Sequence, residues 1–499
     1  MTPRRVPWRK VRHHWRIYFF ILPALILAAL FQYYPAASGA VHSFFRWNGA
    51  DISEFIGPAN YLDLVRNADF WQSFRVALIL GVCNVLKMIP ALAVAVCIHR
   101  CRSARMQFFY RAMFVIPMVT PGLVVALIWR SFFFEASGGY LNRFIHATGI
   151  FNLLVKLDQW ANWGGVFRHG AEPAWLGDPR LILFAVIIWG FPWVGSFAVL
   201  TYLAKLQAIG RDIYEAAEID GVGPFSKFTR IELPLIGGSI YLLLVFLIID
   251  TIKDAATILA LTGFEGGPGG VVTVPALFMI RKAFIDQQMG YACAVGIVLT
   301  VVVMFLQKVS TLALDLDDFP PARRRRRLVG LVGTILLATI LLLGWQFTLG
   351  LVLLGIAIWM FTRLGRAMRR RSSSGNGWLL RVAKHGLIWL VLAFALLPLY
   401  LVLIVSVKSN AQFYAAPATI THPFHWDNWR YAFDVVLPSV ANSIFISTSA
   451  TILALALGLA AAYFFARLRM PMSTLLWNAI IVLMMMPAIA NLAPLFTLL

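Results

Sequence analysis

Charged residues are scarce in this chain, and acidic residues are the scarcest: 13% of its 499 residues are charged, with 22 Asp and Glu against 43 Lys and Arg. About a quarter of the residues of a typical soluble domain are charged, so water is not the solvent for most of this surface. The four cysteines have no paired spacing, which excludes a disulfide framework and a cysteine metal site. A Gly-x4-Gly-Lys-Ser/Thr phosphate loop is also absent, so we expect this chain to bind neither ATP nor another cofactor.

Long apolar runs dominate what is present. Hydrophobic residues make up 60% of the chain, and runs of about 17 to 25 residues, the length that crosses a bilayer as a helix, recur between short polar stretches. Residues 387–407 are apolar on every side, whereas the strands of a membrane barrel alternate with period two. The pattern therefore predicts an all-α polytopic membrane protein with about eleven transmembrane helices. The predicted spans are residues 17–31, 76–98, 108–128, 181–203, 235–261, 291–314, 328–343, 345–361, 387–407, 440–466 and 475–499.

The basic residues predict the orientation. A net charge of +21 and the run Arg323–Arg327 are typical of nucleic-acid binding when they lie on a soluble surface. Here the run directly precedes an apolar run that begins at Leu328, and most Lys and Arg fall in cytoplasmic loops if the N-terminus is cytoplasmic. Cytoplasmic loops of membrane proteins carry this excess. We therefore predict a multi-pass membrane protein with a cytoplasmic N-terminus and no nucleic-acid partner.

The chain repeats itself. When Gln72 is aligned with Asn442, the same offset brings Pro117 onto Pro487 and one basic loop onto another without a gap. Both copies enter the membrane from the same side, which predicts a parallel tandem repeat of a six-helix core. The predicted parts are a basic N-terminus (1–16), a first half (17–315) with a cytoplasmic loop (204–234), a linker with a two-helix hairpin (316–386) and an incomplete second half (387–499). We expect three further spans and a second loop in a longer chain or in another polypeptide.

The loop 204–234 has the clearest local pattern. Residues 213–219 are good helix formers, Gly221 and Gly223 permit a sharp or left-handed turn, and Pro224 suits the first position of a new helix. The pattern therefore predicts two short helices joined by a glycine turn.

An apolar stripe follows this turn. Phe225, Phe228 and Ile231 recur at three-residue spacing. Acidic residues outnumber basic ones in the loop although the whole chain is basic, whereas a helix that lies on lipid favours Lys and Arg. The stripe is therefore predicted to contact a protein partner rather than lipid.

The order of residues in this loop matches a known motif. The matching residues are Glu215, Ala216, Ala217, Asp220, Gly221, Phe225, Phe228 and Pro234. Together they resemble the Glu-Ala-Ala coupling loop of ATP-binding cassette (ABC) importer permeases, with Val222 where that family often has Ala. Residues 175–178 and 266–268 extend the resemblance to the carbohydrate branch, and residues 406–408 resemble the partner subunit of that branch.

The resemblance implies a multi-pass transport subunit of the bacterial inner membrane that is not itself an enzyme. Its coupling loop would dock on separate ABC ATPase subunits, which use the ATP, and an extracytoplasmic solute-binding protein would deliver a sugar or sugar-like solute. Two alternatives stay open: an ABC permease for another solute, such as a metal chelate or a polyamine, and an ion-coupled secondary transporter. The coupling loop argues against the second alternative.

Ionisable residues inside spans are the candidates for the substrate path, because charge is costly in a membrane. In the fifth predicted span, Lys253 and Asp254 fall on one helical face with Asp250, three and four residues after it, so two carboxylates can bracket one ammonium group. A structural ion pair between helices is the equally simple interpretation. Trp193 is a candidate for stacking on a sugar, and Lys87 is a weaker one, because its long side chain can reach the interface.

Overall fold

The computed structural model describes residues 21–101, 103–314, 377–416, 418–467 and 476–477. This part is mostly helical, as predicted, although a short antiparallel hairpin pairs Phe45–Trp47 with Ser53–Phe55. By length and composition, four of the described helices can cross a membrane, or six if each of two bent pairs is one span. The predicted spans 328–343 and 345–361 and almost all of 475–499 lie outside the described residues.

The elements are numbered in chain order. The first are α1 (Leu22–His42), β1 (Phe45–Trp47), β2 (Ser53–Phe55), α2 (Ala59–Arg66), α3 (Ala68–His99), α4 (Ala104–Val115), α5 (Gly122–Phe133), α6 (Tyr140–Ala147), α7 (Ile150–Ala161), α8 (Ile182–Ile188) and α9 (Ser196–Gln207). They continue with α10 (Arg211–Ile219), α11 (Pro224–Lys227), α12 (Gly237–Lys253), α13 (Ala255–Thr262), α14 (Pro275–Ile280), α15 (Met289–Leu314), α16 (Gly377–Val405), α17 (Asn410–Ala415) and α18 (Asp427–Arg467). A π-helical turn (Phe228–Glu232) and a short helix (Leu233–Leu235) connect α11 to α12.

Three predicted spans differ from the observed helices. The span 108–128 is a bent pair, α4 and α5, with 83° between them. The bend comes where Thr120 is extended before Pro121, because proline disfavours a helical residue in front of it. The span 181–203 is divided into α8 and α9 by residues 189–195, where Trp193 has a φ of 58°. The span 235–261 ends as α12 at Lys253 and resumes as α13.

The described helices at the two ends of the chain are longer than predicted. α1 continues to His42 instead of ending at residue 31, and α18 begins at Asp427 instead of residue 440. An acidic residue in the first turn of α18 stabilises the start of that helix.

Two compact units can be distinguished. Unit 1 comprises Met1–Phe70, Pro275–Phe305 and Tyr400–Leu499, and unit 2 comprises Trp71–Val274 and Leu306–Leu399. In unit 1, Gly290 at the start of α15 approaches the carbonyl oxygen of Phe45 so closely that a Cβ atom would lie 2.1 Å from it.

The core of unit 2 is apolar. One cluster of fully buried side chains joins α3, α4, α9 and α16, and it includes Ile98, Tyr110, Phe114, Leu203, Leu206, Ile388 and Leu392. α16 covers the end of the predicted linker and the start of the predicted second half, and the greater part of it packs in the same unit as α3, α4 and α9.

Candidate functional site

The predicted coupling loop forms the expected helix–turn–helix. α10 ends at Ile219, and the N–H groups of Gly221 and Val222 donate to the carbonyl groups of Glu218 (3.1 Å) and Ala217 (2.9 Å). This pair of bonds is the Schellman motif, which needs a left-handed residue directly after the helix cap. Gly221 supplies it with a φ of 65°. The second helix begins at Pro224, as predicted.

The outer side of α10 is open. Glu215, Ala216 and Asp220 are exposed, and the Ile219 side chain is 87% exposed, whereas Ala217 is buried. Arg211 and Glu215 form an exposed ion pair of 3.4 Å, which contributes little stability.

The second short helix is attached to the first by side chains. Lys227 pairs with Glu218 at 3.1 Å, and its ammonium nitrogen lies 5.5 Å from the centre of the Tyr214 ring. Phe228 is half-buried and Pro234 is exposed. These contacts fix the relative directions of α10 and α11.

The base of the loop contains a buried ion pair that the sequence did not predict. Arg100, which follows α3, donates to Glu232 at 2.7 Å, and Glu232 is 1% exposed. Tyr214 and His99 share a hydrogen bond of 3.1 Å beside it. Burial raises the pKa of Tyr214 to about 12, and the charge of Glu232 adds to this rise. A cavity of about 390 Å³ adjoins these four residues.

The residues of the predicted substrate path are not joined as expected. Asp250 and Lys253 both lie on α12, but Asp254 lies just beyond its end. The Asp254 carboxylate accepts a hydrogen bond of 3.0 Å from the N–H group of Thr257, so it caps α13. Within the described ranges, no ion pair of 4 Å or less includes any of these three residues. The predicted bracketing of one ammonium group by two carboxylates is therefore not formed.

Lys87 and Trp193, both in unit 2, are instead brought together. The Lys87 ammonium nitrogen lies 5.9 Å from the centre of the Trp193 ring, which is within cation–π range. The Trp193 indole N–H donates to the carbonyl group of Ile187 at 3.1 Å, which fixes the ring. One turn before Lys87, the Asn84 amide donates to the Thr251 hydroxyl at 3.0 Å and joins α3 to α12.

These polar groups lie at a similar distance from the coupling loop. Lys87 is twelve residues before His99, about 18 Å along α3, and Asp250 is thirteen residues after Gly237, about 20 Å along α12. The hydrocarbon core of a bilayer is about 30 Å thick, so spans that enter it near His99 and Gly237 carry Lys87 and Asp250 well inside it rather than at that edge. A lysine there is a functional candidate by default.

Comparisons with known proteins give the family. The model of the "binding-protein-dependent transport system inner membrane component" family matches residues 91–315. The chain is 30% identical to the trehalose/maltose transport system permease protein MalF of Thermococcus litoralis over 291 residues, 58% of this chain and 89% of that protein. It is 29% identical to the multiple sugar-binding transport system permease protein MsmF of Streptococcus mutans over 307 residues, 61% of this chain and 94% of that protein.

A solved structure is also similar. It is a chain from a bacterial alginate ABC transporter in complex with an alginate pentasaccharide-bound periplasmic protein, with a TM-score of 0.48, 20% identity and coverage of 61% of this chain and 95% of that chain. The membrane-spanning helices, the coupling-loop motif and the match to sugar permeases over almost their whole length point to one family. This chain belongs to the binding-protein-dependent inner membrane components and is a multi-pass ABC importer permease, a transport subunit rather than an enzyme.

Proposed function

We propose that this permease imports a carbohydrate or a sugar-like solute. The observation that carries the proposal is the group of Trp193, Lys87, Asn84 and Thr251, which joins an aromatic ring to polar side chains in the middle of the predicted spans. Sites for small molecules combine apolar or aromatic walls with a few polar groups that fix orientation. The names of the relatives MalF and MsmF, which both refer to sugar transport, support the same substrate class.

The substrate path in this proposal runs past Trp193 and α12. Trp193 stacks on the apolar face of the sugar, while Lys87 and Asn84 bond its hydroxyl groups. Asp250 and Lys253 line the path one turn apart on α12, and Asp254 contributes at the point where the helix is interrupted. An interrupted helix in a membrane is tolerated where it borders a cavity or protein, which fits a transport path.

The coupling loop is the proposed docking site of the ATPase. The exposed residues Glu215, Ala216 and Asp220 contact the ATPase. The helix α11, which contains Phe225, enters its groove together with the adjoining turn that begins at Phe228. Gly221 sets the direction of this helix, and Pro234 ends the loop before α12. The exposed side of α10 and the acidic character of the loop support this role.

The proposed architecture has two parallel halves. The first half covers residues 17–315 and the second begins at residue 387, with the linker 316–386 between them and about eleven spans in total. The importer also needs a solute-binding protein and the ATPase pair. The sequence repeat supports this arrangement.

Uptake of labelled sugars tests the proposed function. A strain that lacks this permease should lose uptake of at least one di- or oligosaccharide, and the wild-type gene should restore it. Uptake should stop on ATP depletion but survive collapse of the ion gradients. Restored uptake of only a polyamine or a metal chelate would contradict the substrate class, and uptake that follows the ion gradient would contradict the mechanism.

The variant Trp193→Ala tests the site. It should lower sugar uptake per assembled complex, because the stacking surface is lost. Trp160→Ala is a matched control, since Trp160 lies on α7 and is 86% exposed. Equal loss in both variants would contradict a role of Trp193 in the path.

A further inference from the structure

The turn that follows α3 connects the coupling loop to α16. The last carbonyl groups of a helix have no partners inside the helix, so other groups must satisfy them. In this turn the Gln107 amide donates to the carbonyl groups of His99 (3.1 Å) and Cys101 (2.7 Å). The carbonyl group between them, that of Arg100, accepts a bond of 2.9 Å from the Lys384 ammonium group of α16. A positive charge at the C-terminal end of a helix is favourable, so Lys384 holds α16 against the end of α3.

The same turn is attached to the coupling loop. The Arg100 side chain pairs with Glu232 at 2.7 Å, and His99 bonds to Tyr214 on α10. Glu232 is 1% exposed, so the ion pair lies in a low dielectric, where the loss of one partner leaves an uncompensated buried charge. Arg100 therefore contacts the loop through its guanidinium group and α16 through its carbonyl oxygen.

Further contacts between α4 and α16 stiffen this junction. The Tyr110 hydroxyl and His385 Nδ1 lie 2.8 Å apart. The Trp389 ring packs against Phe109 and Tyr110 with ring centres 5.7 Å and 6.2 Å apart. The end of α16 that carries Lys384 is thus held at two points: at the Arg100 carbonyl group in the turn that follows α3, and at Tyr110 on α4.

We propose that Arg100 is a positioning residue that makes the coupling loop and α16 move as one body. Displacement of the loop by the ATPase then reaches α16 directly, in addition to α12, which follows the loop along the chain. Energetic coupling between distant sites needs such a contiguous chain of packed and bonded groups. This inference rests on the proposed docking of the ATPase at the coupling loop.

Distance measurements in the assembled importer test the inference. Spin labels replace Arg230, an exposed residue two positions before Glu232, and Val382, which is 58% exposed on α16, in a background with the native cysteines substituted. In the complex with ATPase and solute-binding protein, the mean distance between the labels should be the same without nucleotide and after trapping with ADP and vanadate. With Arg100→Gln, the mean distance should shift between the two states and its distribution should broaden. The ratio of stimulated to basal ATP hydrolysis should fall several-fold.

Three further variants make the result specific. Arg46→Gln removes an exposed ion pair of 3.1 Å with Glu54 in unit 1 and should behave as the unsubstituted chain. The exchange Arg100→Glu with Glu232→Arg restores a pair of opposite charges and should recover part of the coupling. Lys384→Gln leaves the ion pair intact and should still separate the motion of α16 from that of the loop.

The contradicting outcomes are distinct. The inference is wrong if the label distance already changes with nucleotide in the unsubstituted complex, or if Arg100→Gln changes neither the distance nor the stimulated hydrolysis. It is also wrong if Arg100→Gln and Lys384→Gln abolish assembly while Arg46→Gln does not, because the contacts then serve folding alone. Failure of the unsubstituted chain to bind the ATPase would instead overturn the proposed docking role of the coupling loop.

Discussion

Gly221 lies in the left-handed region with a φ of 65°, and valine in its place should uncouple transport from ATP hydrolysis. A Cβ atom at this position meets nothing within 4 Å, so the cost of the substitution is conformational and not a clash. An L-residue in this region costs about 1–2 kcal/mol, with β-branched residues at the upper end. About 2 kcal/mol corresponds to a population about 30-fold lower for the turn that directs α11.

Gly223 provides the matched control. It also has open space around its Cβ position but has no positive φ, so Gly223→Val should keep the turn. Gly221→Asn should retain more function than Gly221→Val, because asparagine tolerates the left-handed conformation. The assay is ATP hydrolysis stimulated by the solute-binding protein, normalised to the amount of ATPase that co-purifies with the permease. Equal effects of valine at positions 221 and 223 would refute the reasoning.

Four further predictions concern topology, transport and stability. A cysteine at position 221 should react with an impermeant reagent only after the cells are opened, whereas one at Trp163 should react in intact cells; the reverse pattern would contradict the cytoplasmic N-terminus. Lys253→Met should lower uptake per assembled complex, and a change in complex amount alone would make Lys253 structural. Asp254→Ala should lower the free energy of unfolding by about 1 kcal/mol through loss of the α13 cap, while Asp254→Asn keeps it. Hydrogen bonds from Arg180 hold the pKa of Asp178 below its usual range. Asp178→Asn should therefore lower the free energy of unfolding at neutral pH, by less than about 1 kcal/mol because the pair is partly exposed. The difference from the unsubstituted protein should disappear as the pH falls through the lowered pKa.

The sequence predicts the features that depend on neighbouring residues. The turn at Gly221 and the helix start at Pro224 each follow from the conformation that one residue type prefers, so a few positions suffice to predict them. The coupling-loop motif is equally local. Its identification therefore needed no knowledge of the tertiary structure.

Interactions between distant residues were not predicted. Arg100 and Glu232 are 132 positions apart, and Arg100 alone has the appearance of a topology anchor. The one signal in the sequence is the position of Glu232, because an acidic residue directly before a span points to a buried partner.

The interruption of the fifth span at Asp254 was not predicted, because the apolar pattern continues through it. The Asp254 carboxylate forms a local cap that competes with continuation of the helix.

The position of α16 determines how the permease can be divided for experiments. A fragment that stops at residue 315 lacks Ile388 and Leu392, which are fully buried among helices of unit 2, and it lacks Lys384 and His385. Lipid can replace the apolar side chains, but it offers no hydrogen bonds to the Tyr110 hydroxyl or to the carbonyl group of Arg100. A separately expressed first half should therefore be soluble in detergent and inserted, yet poorly ordered at its cytoplasmic end. Supplying α16 as a separate peptide should restore protection of that end from proteolysis.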